Sequence, residues 1–337
     1  MRRIVSTVAL ALLMPVLAGA VSAPRDPRPH PGSLSARPSY VQRVERAILG
    51  LHVKAVADAP SSERLGARRF ASAIVFDPRG YAVTVSYAVL DAVSIEARLQ
   101  DGRRVSASLA GVDFESGLAV VKLDGNAVWP AAVLGDSRDI EAGAVTGTVG
   151  VDEDDALVAV SGAVDAVRRF SAYWEYMLHR AFIVTPSSPS WGGSALVNMR
   201  GDVVGIVSLR LGAAPHVNLA IPVETFLPVK DELIAAGRVV SRPPRPWLGL
   251  FTIGGGAGVV VDGTAPAGPA SQAGFQRGDR VVGVNGVAVR SQEEFYEALW
   301  RGEAGDLVRV AVIRDDAERV IAVRSIDRAR LYRTSAP

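Results

Sequence analysis

A glycine-rich turn followed by two short apolar segments constrains the fold of this chain most. The turn contains Gly192 and Gly193, and glycine adopts positive φ values without a steric penalty. An apolar segment covers residues 195–198, a polar turn covers 199–202, and a second apolar segment covers 203–208. Short apolar runs separated by turn residues predict antiparallel strands. The sequence therefore predicts a hairpin, preceded by a turn that presents backbone N–H groups outward.

The N-terminus has the pattern of a secretory signal peptide. Two arginines precede an apolar run at residues 4–17, and small residues follow. We predict a signal peptide at residues 1–23, cleaved after Ala20 or Ala23, and export of the remaining chain to the periplasm or the medium. The alternative is an uncleaved membrane anchor, since the run nearly reaches the roughly 20 residues that a bilayer helix needs. The small residues at its end favour cleavage.

Composition argues against several classes of function. The chain has no cysteine, which excludes disulfides, thiolate catalysis and zinc–thiolate sites. Its net charge is +2 and its charges are scattered, so nothing indicates a nucleic-acid partner. We expect no cofactor and no metal site. The acidic run at residues 152–155 fits a solvated loop better than a cation site, because calcium loops need alternating ligands and a positioned glycine.

Short strands are predicted through the first part of the chain. They cover residues 72–76, 81–85, 94–99, 104–109 and 118–123. Strands at this close spacing, with turn signals between them, predict a barrel or a sandwich. Residues 24–40 have no apolar periodicity and are predicted to be a flexible tether.

Helical spacing of apolar residues appears in four places. It predicts helices at residues 40–51, 168–180, 223–236 and 291–300. The stripe at 168–180 fits a helix packed on the core, with a partner surface as the alternative. Gly237 is placed to cap the third helix, and Ser291 with Glu294 is expected to form a capping box on the fourth. Three prolines in residues 239–246 predict a stiff linker between domains.

Three motifs resemble those of the HtrA/DegP family of periplasmic serine proteases. Residues 189–198 (PSWGGSALVN) resemble the family's P-G-N-S-G-G-P-L-V-N run. Residues 80–89 (GYAVTVSYAV) and 117–122 (GLAVVK) resemble its G-Y-[IV]-[LV]-T-N-N-H-V-V and D-L-A-V-L-K runs. The resemblance implies a mainly β fold, in which a trypsin-like double antiparallel β-barrel at residues 41–238 precedes a smaller domain.

The smaller domain, residues 247–328, resembles an α+β PDZ module and leaves a tail at 329–337. Its segment 273–286 (AGFQRGDRVVGVNG) is similar to the PDZ signature A-G-[FL]-x-x-G-D-x-[IV]-x-x-[IV]-N-G. In such modules a peptide adds as a strand, and its carboxylate accepts N–H bonds from a loop. The resemblance implies peptide-binding residues in two groups, with loop donors at Leu248, Gly249 and Leu250 and pocket residues at Phe295 and Leu299. Ordinary core packing is the alternative role for the last two.

In the same alignment, none of the family's three catalytic residues is present in this chain. The family's histidine, aspartate and serine fall on Tyr87, Gly117 and Gly192. Acyl transfer needs an attacking hydroxyl, an imidazole and an orienting carboxylate. A phenol, with its ordinary pKa near 10, binds its proton too tightly to replace the imidazole. The alignment therefore indicates a pseudoprotease.

The turn around Gly192 keeps some features of an active site. We expect Ser190, Trp191, Gly192 and Gly193 to form an oxyanion-like turn, in which the two glycines donate backbone N–H groups. Trp191 is expected to fill space where a substrate would lie. A serine–lysine pair that includes Ser190 or Ser194 is the alternative way to retain peptidase activity, although the resemblance places the lysines of the chain elsewhere.

The predicted function is that of an exported HtrA-like pseudoprotease. We expect it to bind polypeptide C-termini, unfolded proteins or partner proteins through its PDZ domain, as an adaptor, chaperone-like binder or regulator. An active HtrA relative is a further expected partner, and the family resemblance implies a trimer. The alternative is an active HtrA-type serine endopeptidase in periplasmic protein quality control.

Overall fold

The computed structural model describes residues 37–256 and 258–332. The predicted signal peptide, most of the predicted tether and residues 333–337 of the predicted tail lie outside these ranges. Within them, no helix is both long and apolar enough to cross a bilayer. The predicted double barrel is confirmed, and it is followed by a separate five-stranded sheet with one additional short strand.

The first barrel closes in the strand order β1-β2-β3-β6-β5-β4, with every pair antiparallel. Its strands are β1 Ile48–Ala55, β2 Arg68–Asp77, β3 Tyr81–Val85, β4 Ala92–Leu99, β5 Arg104–Asp113 and β6 Leu118–Leu123. Its helices are α1 Ser39–Val44, a 3-10 turn Glu45–Ala47, α2 Ser62–Leu65 and α3 Ser86–Val89. The five strands predicted between residues 72 and 123 are confirmed.

The second barrel closes in the order β10-β11-β12-β9-β8-β7. Its strands are β7 Val145–Val151, β8 Leu157–Ala172, β9 Tyr176–Thr185, β10 Ala195–Val197, β11 Val203–Leu211 and β12 Val217–Pro222. The predicted hairpin after the glycine-rich turn is β10–β11, in which Ala195 pairs with Ile206. Branched apolar side chains fill the barrel, including Val197, Val203 and Ile206, which are fully buried.

The C-terminal sheet has the order β13-β14-β15-β17-β18, with β16 paired to β15. Its strands are β13 Leu250–Gly255, β14 Gly258–Thr264, β15 Arg280–Val284, β16 Val287–Ala288, β17 Leu307–Arg314 and β18 Ala317–Arg324. Helices α5 Pro269–Gln272 and α6 Gln292–Leu299 accompany it, and a 3-10 turn Arg328–Leu331 follows. The Ser291 hydroxyl accepts the Glu294 N–H at 3.1 Å, as the predicted cap requires, while the Glu294 carboxylate accepts the Arg290 N–H rather than that of Ser291.

The predicted helix at residues 40–51 is wrong in its second half. The helix α1 begins at Ser39 and ends at Val44, and β1 begins at Ile48. Leu49 and Leu51 pair with β2 on one side and with β4 on the other, so both side chains are buried in the barrel. Closing the barrel with a sixth strand outweighs the helical spacing of the apolar residues.

The predicted helix at residues 168–180 is also wrong. The end of β8 and the start of β9 form a hairpin there, with residues 173–175 at its turn. Its apolar side chains belong to two different cores, because Phe170 packs on the barrels and Met177 lies in the core of the C-terminal sheet. The spacing of three and four residues thus reflects two separate packing sites and not one helix face.

The predicted helix at residues 223–236 is divided in two. A 3-10 turn covers Val223–Thr225, and α4 covers Lys230–Ala236. Pro228 lies between them and has no N–H to donate to a helical hydrogen bond. Gly237 ends α4 in the left-handed conformation, with φ 71°, as predicted.

We predict that Gly147→Ala destabilises the fold by about 1–3 kcal/mol, because overpacking displaces side chains. A Cβ at Gly147 on β7 would lie 2.2 Å from Cε2 of Tyr40, whose hydroxyl is hydrogen-bonded to Ser161 at 2.7 Å. Urea unfolding measures the change. The matched control is Gly255→Ala, where an added Cβ meets no atom within 4 Å. Equal stability of the two variants would show that α1 does not hold β7 through Tyr40.

Candidate functional site

The three positions aligned with a catalytic triad meet between the two barrels. Strand pairing aligns Val85 with Leu118, and the Ser86 N–H then donates to Gly117 O at 2.8 Å. This register brings α3, which carries Tyr87, next to the start of β6. A Cβ built on Gly192 would lie 3.1 Å from the Tyr87 hydroxyl. Tyr87, Gly117 and Gly192 therefore share one cleft.

The Tyr87 hydroxyl is hydrogen-bonded to the backbone. Its side chain is partly buried, and its hydroxyl donates to the carbonyl oxygen of Ser208 at 2.6 Å. Burial raises the pKa of the phenol above its ordinary value of 10, because the charged form loses its solvation. Near neutral pH the group keeps its proton and cannot accept one from a neighbouring hydroxyl.

Tyr176 fills the space beside Gly117. Gly117 has φ +76° and its N–H donates to Asp113 O at 2.9 Å. A Cβ at this position would lie 3.0 Å from the Tyr176 hydroxyl. That hydroxyl donates to Ser116 O at 2.7 Å, and the Tyr176 side chain is buried. A phenol from β9 thus covers the position that the alignment assigns to a carboxylate.

The predicted oxyanion-like turn is wrong for one of its two donors. The Gly193 N–H donates to Val207 O at 2.8 Å and points into the barrel. Gly193 has φ +83°, and a Cβ there would lie 2.0 Å from Ser72 O, so the chain packs too closely for a side chain. Gly192 O accepts the Ser72 N–H at 2.8 Å. The Gly193 N–H and the Gly192 carbonyl are therefore bonded to β11 and β2, and they are not directed outward.

The two serines of the turn are directed inward. The Ser190 hydroxyl donates to Val151 O, and the Ser194 hydroxyl donates to Ser190 O at 2.7 Å. Both side chains are buried. Across residues 37–256 and 258–332, no lysine or histidine is a hydrogen-bond partner of either serine.

The histidine–carboxylate contact of the described chain lies elsewhere, on β1. His52 Nε2 is 2.8 Å from Asp155 Oδ1, in the acidic run that the sequence suggested to be a solvated loop. Asp155 Oδ2 accepts from Arg98 at 2.8 Å, so two basic side chains share one carboxylate. The acidic run therefore anchors a turn to the first barrel through Asp155. No cluster of metal-binding side chains is found in the part of the chain that the structure describes.

An aromatic cavity of about 290 Å³ adjoins the cleft. The rings of Trp191 and Tyr87 lie 6.4 Å apart on one side of it. Tyr173, Trp174, Tyr176 and Phe251 contribute further aromatic surface. The Trp191 ring thus faces the inter-barrel cavity, the orientation that a role in filling the substrate space requires.

The predicted peptide-binding residues are buried and in contact with the hairpin of β8 and β9. Leu248, Leu250, Phe295 and Leu299 are all fully buried. The N–H groups of Leu248 and Leu250 donate to the two carboxylate oxygens of Glu175, at 3.0 and 2.6 Å. Glu175 was not among the predicted site residues, although it lies within the apolar stripe at 168–180, for which a partner surface was the alternative role.

Glu175 is a buried carboxyl group with few charged neighbours. Burial raises its pKa to about 7, while hydrogen bonds from Leu248 and Leu250 and the charge of Arg328 favour the ionised form. The Tyr296 hydroxyl accepts the Glu175 N–H at 3.1 Å. Glu175 also has φ 53°, a conformation that non-glycine residues seldom adopt. Tertiary contacts therefore impose this conformation.

Comparison with known proteins assigns both parts of the fold. The trypsin-like peptidase domain family matches residues 71–206, and the PDZ domain family matches residues 235–324. The chain combines a trypsin-like domain with a PDZ domain. Leu248 and Leu250 lie within the PDZ match, while Glu175, which accepts their hydrogen bonds, lies within the trypsin-like match.

Curated relatives are similar to this chain over most of its length. Serine endoprotease DegS of Escherichia coli (strain K12) is 29% identical over 303 residues, which is 84% of this chain and 83% of DegS. A probable periplasmic serine endoprotease DegP-like of Halomonas elongata is 30% identical over 284 residues, 79% of this chain but 58% of the relative. The chain is thus similar in sequence to DegS along most of its length.

Solved structures agree on the fold. The HtrA-type protease AlgW with decapeptide superposes with a TM-score of 0.55 at 23% identity, covering 86% of this chain and 98% of AlgW. The serine endoprotease from Yersinia pestis gives 0.56 at 23% identity, covering 88% and 99%. Both likenesses support the arrangement of a trypsin-like fold followed by a smaller domain.

We predict that Gly117→Asp destabilises the protein by about 1–3 kcal/mol more than Gly102→Asp, because it adds a steric clash. Both glycines have positive φ, but a Cβ at Gly102 meets no atom within 4 Å. The pair therefore separates backbone strain from the contact with Tyr176. Chemical denaturation of the two variants and the wild type gives the difference. If both variants lose the same unfolding free energy, the Tyr176 side chain moves aside for a side chain at position 117 without a cost in stability.

We predict that Glu175 makes the stability depend on pH between about 4.5 and 7. Its pKa is raised in the fold from 4.5 to about 7, so the folded state binds a proton more tightly than the unfolded state. The resulting stabilisation is present below pH 4.5 and is lost as the pH rises through about 7. Glu175→Gln, which cannot titrate, should show a flatter profile across this window.

Urea unfolding at several pH values tests this dependence. The difference in unfolding free energy between wild type and Glu175→Gln should decrease as the pH rises. Glu153→Gln, on the exposed turn between β7 and β8, controls for the loss of a carboxylate elsewhere. A difference that does not change with pH would contradict the role assigned to Glu175.

Proposed function

We propose that this protein is an HtrA-like polypeptide-binding protein that does not cleave peptide bonds. The observation that supports this best is the contact between positions 192 and 87. Where an acyl-transfer nucleophile would stand, Gly192 has only hydrogen, and the group that faces it is the Tyr87 phenol. Neither group can perform the step that its counterpart in a working protease performs.

The surroundings of the cleft support the same proposal. The Tyr87 hydroxyl is engaged with Ser208 O, and its raised pKa keeps it protonated. Tyr176 covers the position beside Gly117. Loss of a triad leaves only the residual acceleration, about 10³–10⁴-fold over water, that binding and an oxyanion hole supply. The inward Gly193 N–H argues against a full oxyanion hole here.

Without catalysis, a trypsin-like domain joined to a PDZ domain can still bind the ends of polypeptides. A PDZ groove receives a terminal carboxylate on loop N–H groups and pairs the peptide with a strand edge. The solved HtrA-type protease AlgW carries a decapeptide in one structure and a tripeptide in another. By analogy, we assign polypeptide C-termini and unfolded proteins as the ligands of this chain. An active HtrA relative and assembly into trimers belong to the same proposal.

The place of action that we propose is the periplasm. The DegP-like relatives are named as probable periplasmic proteins. The N-terminal pattern of two arginines, an apolar run and small residues fits export. Adaptor, chaperone-like and regulatory roles all follow from binding without cleavage in that compartment.

The second candidate function is an active HtrA-type serine endopeptidase. The names of the relatives favour it, since DegS and the DegP-like proteins are serine endoproteases. This second function requires a nucleophilic serine at another position, because residue 192 is glycine. Ser190 and Ser194 are the serines of the turn around it. Their hydroxyls donate to Val151 O and Ser190 O, so neither faces the cleft in the present conformation.

We predict that the purified protein is not labelled by a serine-directed fluorophosphonate and leaves unfolded casein intact. Gly192→Ser alone should also stay unlabelled, because Tyr87 cannot accept the serine proton. Gly192→Ser combined with Tyr87→His should become weakly labelled, roughly 10⁴-fold more slowly than with a complete triad, since the orienting carboxylate is absent. Mass spectrometry identifies any labelled residue.

An HtrA-type protease with its serine in place is the positive control. Labelling of Ser190 or Ser194 in the wild type, together with casein cleavage that the phosphonate abolishes, would establish the endopeptidase instead. Replacing that labelled serine by alanine should then remove the cleavage.

A further inference from the structure

The segment Ser171–Met177, here called the β8–β9 tip, lies along the PDZ groove as a peptide ligand would. Tyr173 O accepts the Thr252 N–H at 2.9 Å, so one backbone hydrogen bond joins the tip to strand β13 on the side that β14 leaves open. Glu175 supplies a carboxylate to the loop N–H groups of Leu248 and Leu250. Addition of a strand and capture of a carboxylate are the two elements of peptide recognition by this type of groove.

The tip also fills the apolar part of the groove. Met177 is only 3% exposed, and it packs in the same core as Leu248, Phe295 and Leu299. An unbranched side chain from the tip therefore enters the core of the PDZ domain, together with the side chains predicted to line a ligand pocket.

Polar contacts fix the tip along α6. The Tyr296 hydroxyl donates to Ala172 O at 2.6 Å, and the Ser171 hydroxyl donates to Glu293 at 2.6 Å. Arg169, just before the tip, forms an ion pair with Glu297 at 2.9 Å. The tip thus contacts the loop, the strand and the helix of the groove.

We propose that the β8–β9 tip is an internal ligand of the PDZ domain, which an external polypeptide C-terminus must displace. The proposal rests on the proposed function, because it takes the groove to be the site of peptide binding. The external ligand is then a chain end with a free α-carboxylate in the position of Glu175 and an unbranched apolar side chain in the position of Met177. The closed groove is the resting state.

Tethering gives the internal ligand a large advantage. A segment joined to its site competes at an effective concentration that a dilute peptide does not reach. A groove that is open about a tenth of the time binds an external peptide about tenfold more weakly than an open groove does. Removing the two anchoring side chains should therefore strengthen peptide binding without altering the groove itself.

The test uses the full chain and the fluorescein-labelled peptide Ser-Ala-Tyr-Trp-Met, which has a free carboxylate. The double variant Glu175→Ala/Met177→Ala should bind this peptide at least about tenfold more tightly than the wild type. The same peptide with a C-terminal amide should bind neither protein. The matched control is Glu153→Ala/Met199→Ala, which removes a glutamate and a methionine from exposed turns and should behave as the wild type.

Hydrogen exchange supplies a readout that needs no peptide. The amides of Leu248, Leu250 and Thr252 donate to the tip, and they should exchange faster in the double variant than in the control. Glu175→Gln replaces the double variant in both measurements if the latter fails to fold, with a smaller change in the same direction.

The outcomes separate the two proposals. Equal peptide affinity in the wild type and the double variant would overturn the internal ligand and leave peptide binding standing. Faster exchange in the double variant, without binding of either peptide, would support the internal ligand and overturn C-terminal recognition as the function. Unchanged exchange at the three amides would overturn the internal ligand on its own.

Discussion

The carboxylate of Glu175 in the loop at Leu248–Leu250 is the interaction on which the arrangement of the two domains depends. A buried carboxylate without partners would be costly, and the loop N–H groups supply those partners. The same contact gives the N–H groups of Leu248 and Leu250 a hydrogen-bond acceptor. The positive φ of Glu175 and the burial of Met177 follow from this one contact, because both orient the β8–β9 tip into the groove.

The inter-barrel cleft is filled where a protease would be open. Tyr87 and Tyr176 place phenols beside Gly192 and Gly117, the positions that the alignment assigns to the nucleophile and the acid, and each hydroxyl donates to a backbone carbonyl. Such groups stabilise the cleft by apolar packing and hydrogen bonding. Tyr87 and Tyr176 therefore add contacts to the fold at the place that the alignment assigns to a catalytic centre.

Local patterns in the sequence were sufficient for β2 to β6 and for the β10–β11 hairpin, and insufficient for β1 and for the β8–β9 hairpin. Strands such as β3 and β6 were predictable because branched apolar residues and turn residues alternate at short range. The placement of Tyr87 and Gly117 at corresponding positions of a triad came from the family resemblance of their motifs, while the register of β3 and β6 that joins them is known from the structure. The β8–β9 tip was misread as a helix, since Phe170 and Met177 pack on two cores that no local period distinguishes. The partner of Glu175 lies more than seventy residues away, beyond the reach of any short-range rule.

Tyr176 stands between Glu175 and Met177, and successive side chains of a strand point to opposite sides. Its neighbours enter the PDZ domain while its own ring packs in the barrel core beside Gly117. Withdrawal of the tip would therefore move this ring as well and open space beside Gly117. A single hairpin turn thus joins the packing of the two domains, since adjacent side chains of one strand enter each of them.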